Sequence, residues 1–226
     1  VLTVVTYWWG AKYGAHEVRK LMAGLHRGMQ EPFRFMAITD NVNREPDIPK
    51  WEIPEQDLHL TKIPGCLARL RLFDPEWQQQ NGILEGSRIV CIDLDVVVTG
   101  DLYPLLYRAE NFMILQGANA SNPCPYNGSI WMLRAGYRPD VWSDFSLEAA
   151  DKVKHAPFAD DQSWFAHKLP NSGGWQAGPS SGVYAFKKPG WPEGDDLPKG
   201  AALVVFPGWR SPDKFTHLRW IREHWR

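Results

Sequence analysis

The segment from Arg88 to Leu102 limits what the chain can fold into more than any other stretch. It opens with a short apolar, β-branched run, Ile89 to Ile92, of the length and character of a strand buried on both faces. The run leads into two carboxylates one residue apart, Asp93 and Asp95. At strand spacing both side chains fall on one face. Carboxylates that close repel each other unless a cation lies between them or one takes a proton. Mg²⁺ or Mn²⁺ is the natural partner for such hard oxygen ligands, and these ions commonly share a phosphorylated ligand. The sequence therefore predicts a metal–diphosphate site at the carboxyl end of a central strand, where open α/β sheets bind ligands. An Asp-x-Asp pair on an exposed turn would carry no such meaning; the buried approach and the Thr99-Gly100-Asp101 turn beyond it set this pair apart.

The flanking pattern places that strand in an α/β frame. Val1 to Thr6 reads as a first buried strand, followed by an aromatic, Gly-punctuated loop from Tyr7 to Gly14. Val18, Leu21, Met22, Leu25 and Met29 recur at helical spacing, and Phe33 to Thr39 reads as a second strand, parallel to the first. Residues 40–56 read as a loop, 66–73 as a helix, and 74–87 as a polar connection. Strands follow at 112–116, 129–133, 182–186 and 201–206, with helices over 139–153 and from Asp160 to Leu169 and loops at 117–128 and 170–181. No Gly-x-Gly-x-x-Gly follows the first strand, which argues against a dinucleotide-binding Rossmann site. No segment repeats and no linker divides the chain, so residues 1–226 are expected to form a single α/β domain with a mainly parallel central sheet flanked by helices.

Charge and cysteine content narrow the setting. Lys plus Arg (25) nearly balance Asp plus Glu (26), so no global field favours nucleic acid or an anionic membrane. Cys66, Cys91 and Cys124 are odd in number, widely spaced and without a zinc-like pair, and a cytoplasmic setting is the expectation. No apolar run approaches membrane-spanning length, and no signal peptide or membrane span is expected. Nothing implies an obligate protein partner. The tail interleaves Trp209, Phe215, Trp220 and Trp225 with Arg210, Lys214, Arg219, Arg222 and Arg226. Basic plus aromatic surface suits single nucleic-acid strands. The same composition fits a terminal helix that packs its Trp residues on the core and keeps Arg in water.

Taken in order, these blocks resemble nucleotide-sugar glycosyltransferases of the GT-A fold, nearest the retaining glycogenin and galactosyltransferase-like group. The likeness spans about positions 1 to 210 and rests on the order and spacing of five blocks. Val4 to Tyr13 stands where that group holds the nucleotide base, which points to Thr6, Tyr7, Lys12 and Tyr13. Arg69, in Cys-Leu-Ala-Arg-Leu-Arg-Leu-Phe, matches a basic residue that reaches the donor. Ile92-Asp-Leu-Asp95 matches the metal-binding Asp-x-Asp, and Tyr126-Asn-Gly-Ser-Ile-Trp-Met-Leu133 resembles the Asn-x-Gly strand beside the donor sugar, with Asn127 and Gly128. Asp160-Asp-Gln-Ser-Trp-Phe165 resembles the acidic helix start near the anomeric carbon, which implies catalytic parts for Asp160, Asp161 and Gln162 beside Arg69. As plain helix caps, the same acidic residues would need no catalytic part.

The resemblance implies a nucleotide-binding half over about 1–102 and an acceptor half over about 103–226. It also implies a UDP-sugar donor, Mn²⁺ or Mg²⁺, and transfer of a hexose to a hydroxyl with retention. One block departs from the group, which ends its last site strand in His-x-Gly with a Lys nearby for the diphosphate. Here the strand ends Phe206-Pro207-Gly208-Trp209-Arg210. Proline has no ligand atom, so His217 or water would complete the metal's protein ligands. Gly208 is retained, and Arg210 would replace the Lys, guanidinium being well suited to phosphate. A glycan and a hydroxylated base in DNA both remain open as acceptors. Two other classes stay open as well. One is a non-catalytic nucleotide-sugar-binding domain of the same fold, which Pro207 favours. The other is an Asp-x-Asp phosphohydrolase using Asp93 as nucleophile, which would need downstream Ser or Thr and Lys motifs that the chain does not convincingly show.

Overall fold

The computed structural model describes residues 1–118, 122–208 and 210–226; Trp209 of the tail lies outside them. The first unit forms as its pattern dictates. β1 (Leu2–Trp8) leads into α1 (Ala15–Gly28), and β2 (Phe33–Thr39) returns parallel to β1 with Leu2 opposite Phe33. Val18, Leu21 and Leu25 form the buried face of α1. The Glu17 carboxylate accepts the Gly14 N–H at 2.7 Å and so fixes the start of the helix.

β3 (Lys50–Glu52) adds a parallel edge strand beside β2, inside the stretch expected to be loop. Two 3₁₀ helices follow, Glu55–Thr61 and Leu67–Phe73, the second where an α-helix was expected. α2 (Pro75–Gln80) is capped by the Asp74 carboxylate and occupies part of the expected polar connection. β4 (Arg88–Ile92) is the central strand, followed by β5 (Val97–Val98) and the short α3 (Tyr103–Leu106). β6 (Phe112–Gln116) and β7 (Tyr126–Arg134) form an antiparallel pair. The helix expected over 139–153 is two, α4 (Asp140–Ser143) and α5 (Leu147–Lys152), the second restarting where the Ser146 hydroxyl accepts the Ala149 N–H. α6 (Asp161–Lys168), β8 (Gly173–Gln176), β9 (Val183–Ala185), β10 (Leu203–Val205), a 3₁₀ turn at Pro212–Phe215 and α7 (Arg219–His224) complete the order.

Seven strands make one sheet in the order β3-β2-β1-β4-β7-β6-β8, and β5-β10-β9 make a second. Within the larger sheet only β7 runs against its neighbours. The architecture is thus α/β with a mainly parallel sheet flanked by helices. Strands from before residue 102, β3-β2-β1-β4, make one side of it and strands from after, β7-β6-β8, the other, and the two meet where β4 pairs with β7.

β4 is covered on both faces, as its apolar run requires. Val90 and Ile92 join one core cluster with α1; Ile89 and Cys91 join another with the 3₁₀ segment Leu67–Phe73 and α6. Trp131, fully buried, packs there on Phe73 and Phe165 with ring centroids 5.7 and 5.1 Å away. A third cluster joins Phe186 and Phe206 beside the second sheet to Trp220, Ile221 and Trp225 of the tail. Trp220 and Trp225 are buried while Arg219 points into solvent. The tail therefore packs these two rings inward, and they are not presented to a nucleic-acid strand.

Candidate functional site: a carboxylate-lined cleft at the end of the central strand

The chain crosses from the large sheet to the small one between Ile92 and Val97. Asp93 and Asp95 lie in that crossing. They sit in a turn just past the strand rather than on it, yet both side chains line one cleft of about 280 Å³. Because β7 is reversed, its first residues meet the carboxyl end of β4: Asp93 N–H donates to the Ser129 carbonyl at 3.0 Å. Asn127, Gly128 and Ser129 thus form the facing wall. Tyr7, Trp9, Lys12 and Tyr13 enter from β1 and its loop, Cys66 and Arg69 from the segment below, and Gln162 from α6. Phe206, Pro207 and Gly208 close the remaining side just after β10.

Arg69 is the buried charge at the base of the cleft. Its Nη1 donates to Asp93 Oδ1 at 2.8 Å and to the Gly128 carbonyl at 2.7 Å. Its Nε lies 3.0 Å from Asp161 Oδ2, close enough for strong attraction but out of hydrogen-bonding alignment. These two nitrogens therefore face the protein. Asp161 is 1% exposed; burial pushes its carboxyl up to about 7 even though Arg69 pulls the other way. Asp161 lies beneath the cleft wall, not on it. Its backbone N–H is held by the Gly65 carbonyl at 2.8 Å.

Gly65 has φ +100, and a Cβ there would lie 2.0 Å from the Ala159 carbonyl oxygen. Only glycine lets these two loops touch. Next to it, Cys66 takes the left-handed conformation (φ 57). Asp160 acts as the cap of α6, accepting the Ser163 N–H at 2.7 Å. Gln162 Oε1 accepts the Gly128 N–H at 3.0 Å, so Gly128 is held from its N–H by Gln162 and from its C=O by Arg69.

Asp95 is 8% exposed. Burial first, and then the Asp93 carboxylate, push it up to about 6, while the hydrogen bond from the Tyr13 hydroxyl at 2.6 Å opposes them. Burial and Asp95 push the Tyr13 phenol well above its ordinary value, so Tyr13 stays a donor. The Tyr13 loop is anchored at Gly10 (φ +61): the Gly10 N–H donates to Asp40 Oδ2 at 3.0 Å, and Arg44 donates to the Gly10 carbonyl at 3.0 Å. Arg44 also pairs with Asp40 and lies over the Trp8 ring.

The structure thus gathers Tyr7, Lys12, Tyr13, Arg69, Asp93, Asp95, Asn127, Gly128, Gln162 and Gly208 at one cleft. Four predicted residues lie off it besides Asp161. Thr6 is wholly buried in β1, Asp160 caps its helix, Arg210 is half-buried, and His217 is exposed. Among the described residues, the His, Cys, Asp or Glu triad with ligand atoms within 4.8 Å of one another is His16, Glu17 and Asp213, so His217 does not complete a set with Asp93 and Asp95. Cys66, Ser129 and Phe206 were not foreseen as cleft residues. Their only signals were position, beside Gly65, the Asn-x-Gly block and Pro207-Gly208.

The donor chemistry fits a hard divalent cation. Asp93 commits one oxygen to Arg69 and Asp95 one to Tyr13, and each keeps another to offer. One or two carboxylates plus phosphate oxygens is the usual way Mg²⁺ is held.

No protein-family model and no curated protein sequence matches the chain. Solved structures do. An active-site mutant of LgtC aligns with a TM-score of 0.62 at 11% identity over 98% of this chain and 96% of that one. A complex of the galactosyltransferase LgtC with donor and acceptor sugar analogues gives 0.58 at 12% over the same shares. The glycosyltransferase GlyE of Streptococcus pneumoniae TIGR4 gives 0.62 at 12% over 98% of this chain and 63% of that longer one. Identities this low establish a shared fold. With its mainly parallel sheet, single reversed strand and cleft at the end of β4, the chain has the GT-A fold of nucleotide-sugar glycosyltransferases.

Proposed function

We propose that this protein is a glycosyltransferase that moves a hexose from a UDP-sugar to an acceptor hydroxyl, with Mn²⁺ or Mg²⁺ and with retention of configuration. The observation that carries the reading is the convergence of Asp93, Asp95, Asn127, Gly128 and Gln162 on one cleft over a buried Arg69. Asp93 and Asp95 are the residues that would hold the cation, which when bound supplies Lewis-acid stabilisation of a diphosphate leaving group. Tyr13 fixes the Asp95 carboxylate through its hydroxyl, and Arg69 fixes that of Asp93. Gly128, clamped by Gln162 and Arg69, presents a backbone that a sugar ring can approach closely. Asp161 keeps Arg69 in place from below, which makes it a positioning residue in this reading. Retention follows from the group that the motifs resemble. The buried Trp220 and Trp225 favour a saccharide acceptor over a nucleic-acid base.

Pro207 on the cleft wall supports a second reading, a domain that binds nucleotide sugars without turning them over. One experiment separates the two: product release from a panel of nucleotide sugars, with Mn²⁺, with Mg²⁺ and with EDTA, beside binding of the same donors. Metal-dependent UDP release from one donor, lost in Asp95→Asn, is the expected outcome. Activity of Asp95→Asn within about tenfold of the parent would remove Asp95 from the site, since a lost metal ligand costs several kcal/mol of charge stabilisation. Binding without release, acceptors included, would favour the second reading, and binding of no nucleotide sugar would end both.

A further inference from the structure

We propose that Lys12, on the loop between β1 and α1, supplies the protein's positive charge to the β-phosphate of the departing nucleoside diphosphate. The inference rests on the donor reading above, and it moves Lys12 from the nucleotide's base to its leaving group.

Charge balance poses the problem. A divalent cation held by Asp93 and Asp95 is already offset by two carboxylates, so the diphosphate needs a further cation. Among the described residues only Arg69 and Lys12 bring a cationic side chain to the cleft wall. Arg69 turns Nε and Nη1 toward Asp161, Asp93 and the Gly128 carbonyl. The wall after β10 contributes Phe206, Pro207 and Gly208, none of them charged, and neither Arg210 nor His217 lines the cleft.

Lys12 has the required placement. Its ammonium lies 4.5 Å from the centroid of the Tyr13 ring, and among the described residues it makes no ion pair. The hydroxyl of that same Tyr13 is bonded to Asp95. The ammonium thus stands one side chain away from the proposed cation ligand. The loop that carries it is pinned at its base, with both backbone groups of Gly10 held by the Asp40–Arg44 pair. Because the root is fixed, reaching a phosphate costs the rotamer freedom of one side chain and no further ordering of the loop.

In the transfer step the bond between the anomeric carbon and the β-phosphate oxygen breaks, and both electrons pass to that oxygen. The acceptor hydroxyl oxygen bonds to the anomeric carbon, and its proton goes to the departing phosphate. Lys12 keeps its own proton and donates a hydrogen bond to the phosphate as its charge grows, so the contact is stronger in the transition state than in the bound donor.

The test is equilibrium binding of UDP and of UMP, both with Mn²⁺, to the parent, Lys12→Met and Lys12→Arg. Lys12→Met is expected to weaken UDP binding about 10- to 100-fold, the range for a charged hydrogen bond, and UMP binding by less than about threefold. Lys12→Arg is expected to restore most of the UDP affinity. The side chain is exposed, so equal thermal midpoints should accompany these changes. Equal losses for UDP and UMP, or no loss for either, would overturn the assignment to the β-phosphate while leaving the donor reading standing. A parent protein that binds neither UDP nor any other nucleoside diphosphate would overturn both.

Discussion

At Arg69 one guanidinium serves two carboxylates and a carbonyl, and each of these partners depends on it. Replacing it with an apolar side chain would leave Asp161 buried with no counter-charge. Arg69→Met is therefore expected to cost about 3–5 kcal/mol in urea unfolding, the usual loss when one partner of a buried pair is removed. Part of that loss should return at low pH, where Asp161 takes up a proton. The same carboxyl sets a pH dependence in the parent. Folded, it keeps its proton up to about 7, whereas in the unfolded chain it ionises near 3.8. Between those values the folded state binds more protons, so this group's contribution falls as pH rises through the window. Comparing unfolding of the parent and Asp161→Asn from pH 4.5 to 8 should show the parent losing ground to the variant across it. A pH-independent difference would mean that Asp161 is ionised throughout. The sequence made both residues visible, Arg69 from its block and Asp161 from the helix start. It could not show that they hold each other, because the 3₁₀ segment and α6, far apart in sequence, meet only in the folded chain, through the Gly65 contact and the packing of Phe73 on Phe165.

At the level of elements, that contact is where the site is most exposed to small changes. Gly65→Ala would force a Cβ against the Ala159 carbonyl and strain a positive φ. The Gly65–Asp161 backbone bond should open, moving Gln162 away from Gly128. The expected reading is a raised KM for donor, or a weaker Kd for UDP with Mn²⁺, with a modest drop in Tm. An unchanged Kd would separate this loop from the cleft. The strands that carry the frame were legible because β1, β2, β4, β6 and β7 are dominated by apolar and β-branched residues. β3 and β8 were not. One is three residues, Lys50-Trp51-Glu52, and the other reads Gly173-Gly174-Trp175-Gln176, so neither has enough alternation to register, and the sheet edge alone gives them partners. The helix expected over 139–153 showed one apolar face, yet Ser146 offered a better cap than a helical interior, and the helix restarts there. The crossing of Asp93 and Asp95 was read as strand because nothing in Asp-Leu-Asp says that the next strand belongs to another sheet.

Across the whole molecule, the tail is joined to the cleft through rings. Trp220 packs near Phe206 and Phe186, with centroids 6.3 and 5.9 Å away, and Phe206 itself lines the cleft. Trp220→Ala should lower stability by about 3–5 kcal/mol, as large-to-small changes in a core do, and denaturant titration would measure it. A loss under about 1 kcal/mol would mean that the tail is not part of the cooperative unit. The crossing from Ile92 to Val97 has a further consequence, one of timing. β5 leaves the carboxylate turn and pairs only with β10, with Val98 opposite Leu203. During synthesis the large sheet can gather most of its strands well before residue 203 leaves the ribosome, and such distant pairings form late. The wall of Phe206, Pro207 and Gly208 follows directly on β10. A nascent or prematurely ended chain can thus hold much of its core and still lack one side of the cleft. In the proposed reading, the capacity to bind a donor then arrives in one step, once β10 and the wall that follows it have been made, and chains cut short of them are silent.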